Sequence, residues 1–308
     1  MDRSVRSTPQ GSGALPPLMN TREVAEYLRL KERKIYDLVA RRRIPCTRAA
    51  GKWLFPRELI DLWLLQQAEG VPEPAAVTDP PPIVGGSHDP LLEWAVRESG
   101  SGLAVLFDGS LDGLERLLRR EVSACGLHVP DPEGDGHNSA LLDQRAATEP
   151  LVAIEWARRW QGLIVAPGNP LGIRELTDLA GRRFALRQRE AGSHLLLDRL
   201  LREAGLSKAD FSACVGPLRS ETELARAIAA GEADAGLGIG AAARPLALDF
   251  IPLVEERYDL LIWRRQYFEP PIQTLLRFCR DGAFHRRVRQ LDGYDISALG
   301  TVRFNGRG

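Results

Sequence analysis

Three short turns after residue 82 are built from glycine and serine, in two cases with histidine or aspartate, at the point where an apolar run gives way to an amphipathic one. They are Gly86-Ser87-His88-Asp89-Pro90, Gly109-Ser110-Leu111 and Gly192-Ser193-His194. Each turn would leave free backbone N–H groups and a hydroxyl at a helix N-terminus, which is an arrangement that binds anions. A single serine there often only caps a helix. Three such turns in one domain predict a site for a small anionic ligand.

The elements that must position these turns alternate along the chain. Short apolar runs predict strands over Pro82–Gly86, Gly102–Phe107, Gly162–Ala166, Arg183–Leu186, Ala233–Gly238 and Asp249–Leu253. Amphipathic stretches predict helices over Leu91–Arg97, Leu111–Glu121, Leu195–Ala204, Glu221–Ala230 and Ile272–Cys279. This alternation indicates an α/β domain with a mainly parallel sheet. Ligands bind such sheets at the carboxyl ends of the strands, where the three turns fall.

A second set of chemically informative residues lies near the N-terminus and is basic. The 308-residue chain has a formal net charge of zero, with 41 Lys and Arg against 41 Asp and Glu. From Thr21 to Phe55, however, there are ten Lys and Arg against four Asp and Glu. Such charge asymmetry is typical of a nucleic-acid-binding end. The alternative is a small helical protein-interaction domain with solvated charges.

The pattern around these basic residues predicts a compact module. Asn20 or Thr21 can cap a first helix, and a second helix follows from about Lys31 to Ala40 after a very short turn. A β-hairpin with a basic tip at Ala49–Lys52 comes next. Pro56 suits the first position of a third helix, Arg57–Gln67. Its apolar residues are expected to pack back on the module: Leu59, Ile60, Leu62, Trp63 and Leu64.

This stretch resembles the excisionase/MerR-type winged helix-turn-helix, on Asn20–Leu28, Ile35-Tyr36, Ile44-Pro45 and Trp53–Pro56. The resemblance implies that the second helix reads the major groove of double-stranded DNA and that the wing contacts the backbone or minor groove. The residues expected to contact DNA are Thr21, Arg22, Lys31, Arg33, Lys34, Tyr36, Arg41, Arg42, Arg43, Arg48 and Lys52. Such regulators usually bind palindromes, so a homodimer is expected.

The remainder resembles the periplasmic-binding-protein-like domain that is fused to helix-turn-helix modules and to molybdopterin-biosynthesis proteins. The most specific segment is Gly162–Ile173, supported by Gly86–Pro90, Gly109–Leu114, Ala233–Ile239 and Gly293-Tyr294-Asp295. The resemblance implies a two-lobed α/β domain of type II, with molybdate or tungstate as effector in the cleft and hinges at Pro167–Pro170 and Pro252–Glu255. The expected ligand-binding residues are Ser87, His88, Asp89, Gly109, Ser110, Arg187, Gln188, Gly192, Ser193, His194 and Tyr258. A small organic effector stays open, because Glu190 lies beside the third turn.

The expected organisation is therefore an N-terminal α winged helix-turn-helix followed by a C-terminal α/β two-lobed domain. The boundaries are a disordered leader (1–17), the DNA-binding module (18–69), a Pro-rich linker (70–82) and the sensing domain (83–304). Lobe one is expected at about 83–166 and 255–304, and lobe two at about 167–254.

Several functional classes are disfavoured by the sequence. The first seventeen residues lack the apolar stretch of a signal peptide and no run is long enough to cross a membrane, so a cytoplasmic protein is expected. The four cysteines are far apart and form no CxxC pair, which favours reduced thiols over a metal or disulfide framework. No G-x-S-x-G, HExxH or P-loop motif occurs, so we expect no enzyme. An architectural DNA-binding protein without a physiological ligand is a further alternative.

Overall fold

The computed structural model describes residues 18–49, 51–67, 79–134, 136–291 and 293–308. The chain divides into two compact units, Met1–Val77 and Thr78–Gly308. The expected leader and most of the expected Pro-rich linker lie outside the described residues. None of the described helices combines the length and apolar character needed to cross a lipid bilayer.

The first unit pairs a three-stranded antiparallel sheet with three helices. Its elements are β1 (Leu18–Asn20), α1 (Thr21–Tyr27), α2 (Glu32–Ala40), β2 (Thr47–Ala49), β3 (Lys52–Pro56) and α3 (Arg57–Gln67). The core is the cluster of Met19, Val24, Ala25, Ile35, Ile44, Phe55 and Ile60. The helix-turn-helix and hairpin therefore form as the sequence pattern predicted, although Pro56 ends β3 instead of opening α3.

The expected packing of α3 was wrong for three of the five apolar residues that were expected to pack on the module. Ile60 is fully buried and Trp63 is half-buried, but Leu59, Leu62 and Leu64 are 47%, 54% and 41% exposed. The small module covers only one stripe of this helix, which packs chiefly against β3.

The second unit is built on one mixed ten-stranded sheet. Lobe one contains β4 (Ile83–Gly86), α4 (Pro90–Glu98), β5 (Ala104–Leu106), α5 (Ser110–Leu118), β6 (Ala124–Leu127), α6 (Ser139–Arg145), α10 (Arg264–Tyr267), α11 (Pro270–Phe278), α12 (Gly282–Val288), β12 (Tyr294–Asp295) and β13 (Val302–Asn305). Lobe two contains β8 (Arg183–Arg187), α7 (Gly192–Glu203), β9 (Ala213–Leu218), α8 (Glu221–Ala229), β10 (Ala235–Ile239) and α9 (Gly240–Ala243), with 3-10 turns at Leu176–Leu179, Lys208–Asp210 and Arg244–Leu246.

Two long antiparallel strands, β7 (Leu151–Val165) and β11 (Asp249–Trp263), run through both lobes and join them. In lobe one β11 pairs with β6, and in lobe two β7 pairs with β10. Around this pair each lobe keeps a parallel set, β5-β4-β6 and β10-β8-β9.

The prediction of a mainly parallel sheet was therefore wrong in the centre of the unit. The hydropathy pattern of the sequence predicted strands only at the lobe-two ends of β7 and β11, and it did not predict β6 or β9. The turn at Pro167–Pro170 lies beyond the end of β7 and so outside the connecting strands. Pro252–Glu255 lies within β11, where the pairing register shifts between Pro252 and Val254.

Candidate functional sites

The basic surface of the first unit is positioned by a tightly capped helix pair. Asn20 accepts hydrogen bonds from the backbone of Arg22 and Glu23, at 2.9 and 3.0 Å, and Glu23 accepts from the Asn20 N–H at 2.7 Å. This capping box fixes the start of α1. A turn at Leu28–Leu30 then leads into α2, which is anchored by the buried Ile35.

The side chains expected to contact DNA are on the outside of this frame. All of them are exposed except Thr21, which is half-buried. On α2, Asp37 pairs with Arg41 at 2.9 Å and with Lys34 at 3.5 Å, whereas Arg33 forms no salt bridge among the described residues. A concavity of about 600 Å³ gathers Lys34, Arg42 and Arg43 on one surface. In the hairpin the Arg48 guanidinium lies 5.4 Å from the ring centre of Trp53.

In the second unit, the loops that follow β4 and β6 meet through a buried serine–histidine pair. The Ser87 hydroxyl lies 2.7 Å from His128 Nε2, and His128 Nδ1 lies 2.7 Å from Glu256 Oε2. Because an ionised carboxylate only accepts, Nδ1 carries a proton and donates it to the Glu256 carboxylate. All three side chains are at most 1% exposed. Neither His128 nor Glu256 was singled out by the sequence.

Glu256 ties this pair to the strands that join the lobes. Its Oε1 accepts from Arg159 Nε at 2.6 Å and from Gln161 Nε2 at 3.1 Å. Burial raises the pKa of this carboxyl, but the charges of His128 and Arg159 and the hydrogen bonds of His128 and Gln161 outweigh it and lower the pKa to about 2. Glu256 is therefore a permanent anion in the middle of the unit.

Asp89 closes the other side of the same cluster. It accepts from Arg159 Nη1 at 2.6 Å, from the Tyr294 hydroxyl at 2.5 Å, from Trp156 Nε1 at 3.2 Å and from the Leu92 N–H at 2.7 Å. The last of these bonds caps α4. Asp89, expected as a ligand-binding residue, is thus occupied by four donors of the protein itself.

Tyr258 supports the serine loop through the backbone. Its hydroxyl donates to the Ser87 carbonyl oxygen at 2.6 Å, and its ring stacks on His128 with centroids 5.8 Å apart. The Arg159 guanidinium covers the ring at 4.6 Å. The structure therefore gives Tyr258 a positioning contact with Ser87.

Lobe two meets this cluster at the start of α7. A β-carbon on Gly192 would lie 2.6 Å from the His128 carbonyl oxygen, so only glycine allows this approach. Beside it, the Leu111 N–H at the start of α5 donates to the Glu190 carbonyl oxygen at 3.1 Å. The N-terminal ends of α5 and α7 are therefore next to each other, one from each lobe. We call this region, defined by Ser87, Ser110, His128, Gly192 and Ser193, the lobe junction.

Three buried polar atoms in or beside the lobe junction have no hydrogen-bond partner among the described residues. They are Ser193 Oγ, Arg159 Nη2 and Gln161 Oε1. Unpaired buried polar atoms cost free energy, and such atoms in a native protein commonly mark a ligand or ordered water. The Ser110 hydroxyl lies at the long distance of 3.5 Å from the His128 N–H.

Four other expected ligand residues make contacts away from the junction. The buried Arg187 forms an ion pair with Glu221 and donates to the carbonyl oxygens of Leu218 and Arg219. His194 lies with Nδ1 2.7 Å from the Arg187 carbonyl oxygen and Nε2 2.7 Å from Lys208 Nζ. Gln188 Nε2 lies 3.5 Å from the Arg219 carbonyl oxygen. His88 Nε2 lies 3.1 Å from Glu93 Oε2. The structure thus brings together Ser87, Gly109, Ser110, Gly192 and Ser193, but not these four.

With this geometry in place, comparison with known proteins defines the class. A helix-turn-helix domain model matches residues 18–68, and a PBP superfamily domain model matches residues 92–280. The chain is a helix-turn-helix protein with a periplasmic-binding-protein-like second domain. Because the second match spans more than half of the chain, the protein belongs to the PBP superfamily.

Two bacterial relatives are found, one over nearly the whole chain and one over about a third of it. The chain is 26% identical over 301 residues to the uncharacterized protein YvgK of Bacillus subtilis (strain 168), which is 91% of this chain and 96% of that protein. It is 31% identical over 111 residues to an uncharacterized protein in the ferredoxin 2Fe-2S gene 5′ region of Clostridium pasteurianum. This match covers 35% of this chain and 96% of that protein. The regulatory domain of MetR, a LysR family regulator from N. meningitidis, aligns with a TM-score of 0.46 at 10% identity, over 69% of this chain and 96% of that one.

Proposed function

We propose that this protein is a cytoplasmic transcription regulator that binds double-stranded DNA through the first unit and a small effector at the lobe junction. On this proposal β2 and β3 form the wing of a winged helix-turn-helix, and the second unit is a type II binding-protein domain. The domain boundaries are those expected from the sequence, with 18–69 binding DNA and 83–304 sensing. The regulator acts as a homodimer on a two-fold DNA site.

The Ser193 hydroxyl is the observation that carries the effector site. It is 1% exposed, has no partner among the described residues and lies at the N-terminus of a twelve-residue helix. Its neighbour Gly192 packs on His128, which contacts Ser87. The hydroxyls of Ser110 and Ser193 and backbone N–H groups at the starts of α5 and α7 would give an anion donors from both lobes. Arg159 Nη2, which has no partner among the described residues, would add another.

We take a small oxyanion, molybdate or tungstate, as the leading effector class. The side chain of Glu190 is exposed, and its carbonyl oxygen is the part that contacts α5. This glutamate therefore does not oppose an anion at the junction. The effector would favour the closed arrangement of the lobes to the extent that it binds this arrangement more tightly than the open one.

A second effector class is favoured by the charges next to the junction. Asp89 and Glu256 place two buried carboxylates against the single guanidinium of Arg159. Gln161 Oε1, for which the described residues offer no partner, is an acceptor, and an oxyanion cannot donate a hydrogen bond to it. A small organic molecule with both donors and acceptors fits these atoms.

Thermal denaturation of the full-length protein with molybdate, tungstate, sulfate and a panel of small organic metabolites tests the proposal. A ligand at 100 times its Kd adds about 2.7 kcal/mol of stability. The stabilisation should disappear in Ser193→Ala and persist in Ser212→Ala, an exposed serine of the same lobe. Stabilisation by an organic compound alone identifies the second class. Equal stabilisation of both variants contradicts the site.

A further inference from the structure

A cavity between the lobes lies apart from the lobe junction, and we propose that it binds an organic phosphate. The cavity has a volume of about 350 Å³. One wall comes from α4 and α12 of lobe one, and the other comes from α8, α9 and the 3-10 turn that follows α9 in lobe two. None of the five residues that define the lobe junction lines it.

Four arginines and one carboxylate give this cavity its charge: Arg97, Arg226, Arg244 and Arg287 against Glu93. Glu93 is already shared between two groups, since it contacts Arg97 Nη2 and His88 Nε2, each at 3.1 Å. The hydrogen bond from His88 is the main cause that lowers the pKa of Glu93, so this carboxylate is ionised and neutralises one arginine. Arg244 donates to the Gln290 carbonyl oxygen at 3.3 Å. The lining residues therefore carry an excess of positive charge.

Two of these arginines have no carboxylate partner among the described residues. Arg226 of lobe two forms no salt bridge there, and Arg287 of lobe one forms none either. The Nε atom of Arg287 is buried and has no hydrogen-bond partner in the part of the chain that the structure describes. Guanidinium groups match phosphate oxygens with paired N–H donors, so a phosphate between Arg226 and Arg287 would satisfy both.

The remaining walls indicate an organic group on the phosphate. Trp94 borders the cavity with the Arg287 guanidinium 5.8 Å from its ring centre, and Leu246 and Leu291 add apolar surface. The volume is within the range of roughly 300–1,000 Å³ found for small-molecule sites. A single inorganic oxyanion would leave most of that space unfilled. A phosphate monoester with a planar organic group fits both the charge and the shape.

Closure of the lobes brings two like charges together, because Arg287 belongs to lobe one and Arg226 to lobe two. A bound dianion would offset their repulsion, and it would therefore favour the closed arrangement. If an effector at the lobe junction also favours closure, each ligand must tighten the binding of the other by the same factor. The phosphate site itself does not depend on that effector.

Calorimetric titration of the full-length protein with adenosine monophosphate, with adenosine as the uncharged control, tests this site. We expect the monophosphate to bind and adenosine to bind much more weakly. The double variant Arg226→Gln/Arg287→Gln should weaken binding by more than roughly tenfold, about 1.4 kcal/mol. Arg202→Gln, an exposed arginine of lobe two, should leave binding unchanged. The unliganded double variant should melt no lower than the wild type, because it loses a repulsion.

Ser193→Ala separates the two proposals. This variant should still bind the monophosphate even if it loses every response to effectors of the lobe junction. Loss of monophosphate binding in Ser193→Ala would place the anion at the junction and overturn the second site. Unchanged binding in the arginine double variant, or no binding by the wild type at millimolar concentration, would overturn it as well.

Discussion

Gly192 and His128 are in such close contact that a β-carbon at position 192 would lie 2.6 Å from the His128 carbonyl oxygen and 2.8 Å from its imidazole Cε1. Gly192 starts a helix of lobe two, and His128 follows a strand of lobe one. This single contact therefore reports whether the lobes are closed on each other.

Gly192→Ala should separate the lobes at this point. Overpacking of a well-packed region costs about 1–3 kcal/mol, and we expect the variant to lose that stability and most of its response to effector. Small-angle scattering and chemical denaturation measure the two effects. Ser193→Ala changes the next position without a clash, so it should lose the effector response but keep the compact scattering profile. Identical scattering and stability in Gly192→Ala and the wild type would contradict the closed contact.

Glu256 should make the protein sensitive to acid. Its pKa is lowered from 4.5 to about 2, so its contribution to stability is present above pH 4.5 and is lost as the pH falls towards 2. Glu256→Gln removes the anion that Arg159 and His128 require, and we expect a loss of about 3–5 kcal/mol at neutral pH.

Unfolding free energies measured between pH 7 and pH 3 check this expectation. The wild type should lose stability in acid more steeply than Glu256→Gln. Glu255→Gln, the exposed neighbour on the same strand, should follow the wild-type profile. Parallel profiles for the wild type and Glu256→Gln would rule out this role of the carboxylate.

Arg33 on α2 is exposed and forms no salt bridge among the described residues, so it is free to contact DNA. Arg33→Ala should weaken DNA binding. If Arg33 contacts a phosphate, the magnitude of the slope of the logarithm of the binding constant against the logarithm of the salt concentration should also fall by about one. Gel-shift titrations at several salt concentrations measure both. Arg265→Ala, an exposed arginine of the second unit, should bind DNA as the wild type does. The same affinity for both variants would argue against α2 as the reading helix.

Ser87, His128 and Glu256 have the hydrogen-bond order of a serine hydrolase triad. Ser87 is 0% exposed, and lobe two packs on His128, so a substrate has no access to the hydroxyl in this arrangement. We therefore expect a fluorophosphonate probe to leave the protein unlabelled, as judged by intact mass. Labelling that is lost in Ser87→Ala would show an enzyme where we propose a binding site.

The sequence by itself determined most of the first unit. Helix caps, the short turn and the hairpin are local, and the capping box of Asn20 and Glu23 forms within four residues. The same local signals placed Ser87 in a loop before a helix and Ser110 and Ser193 at the starts of helices. Such features need only the periodicity and the turn chemistry of neighbouring residues.

Tertiary structure alone decided how the two lobes of the second unit are joined and which residues surround Ser87, Ser110 and Ser193. Glu155, Arg159, Gln161, Glu256 and Asp259 interrupt the apolar pattern of β7 and β11, yet each is at most 1% exposed. Hydropathy assigns such residues to the surface, and only partners far along the chain allow their burial. Arg159 meets Asp89 from 70 residues away and Glu256 from 97. His128 became part of the site for the same reason, because its partners come from three separate segments of the fold.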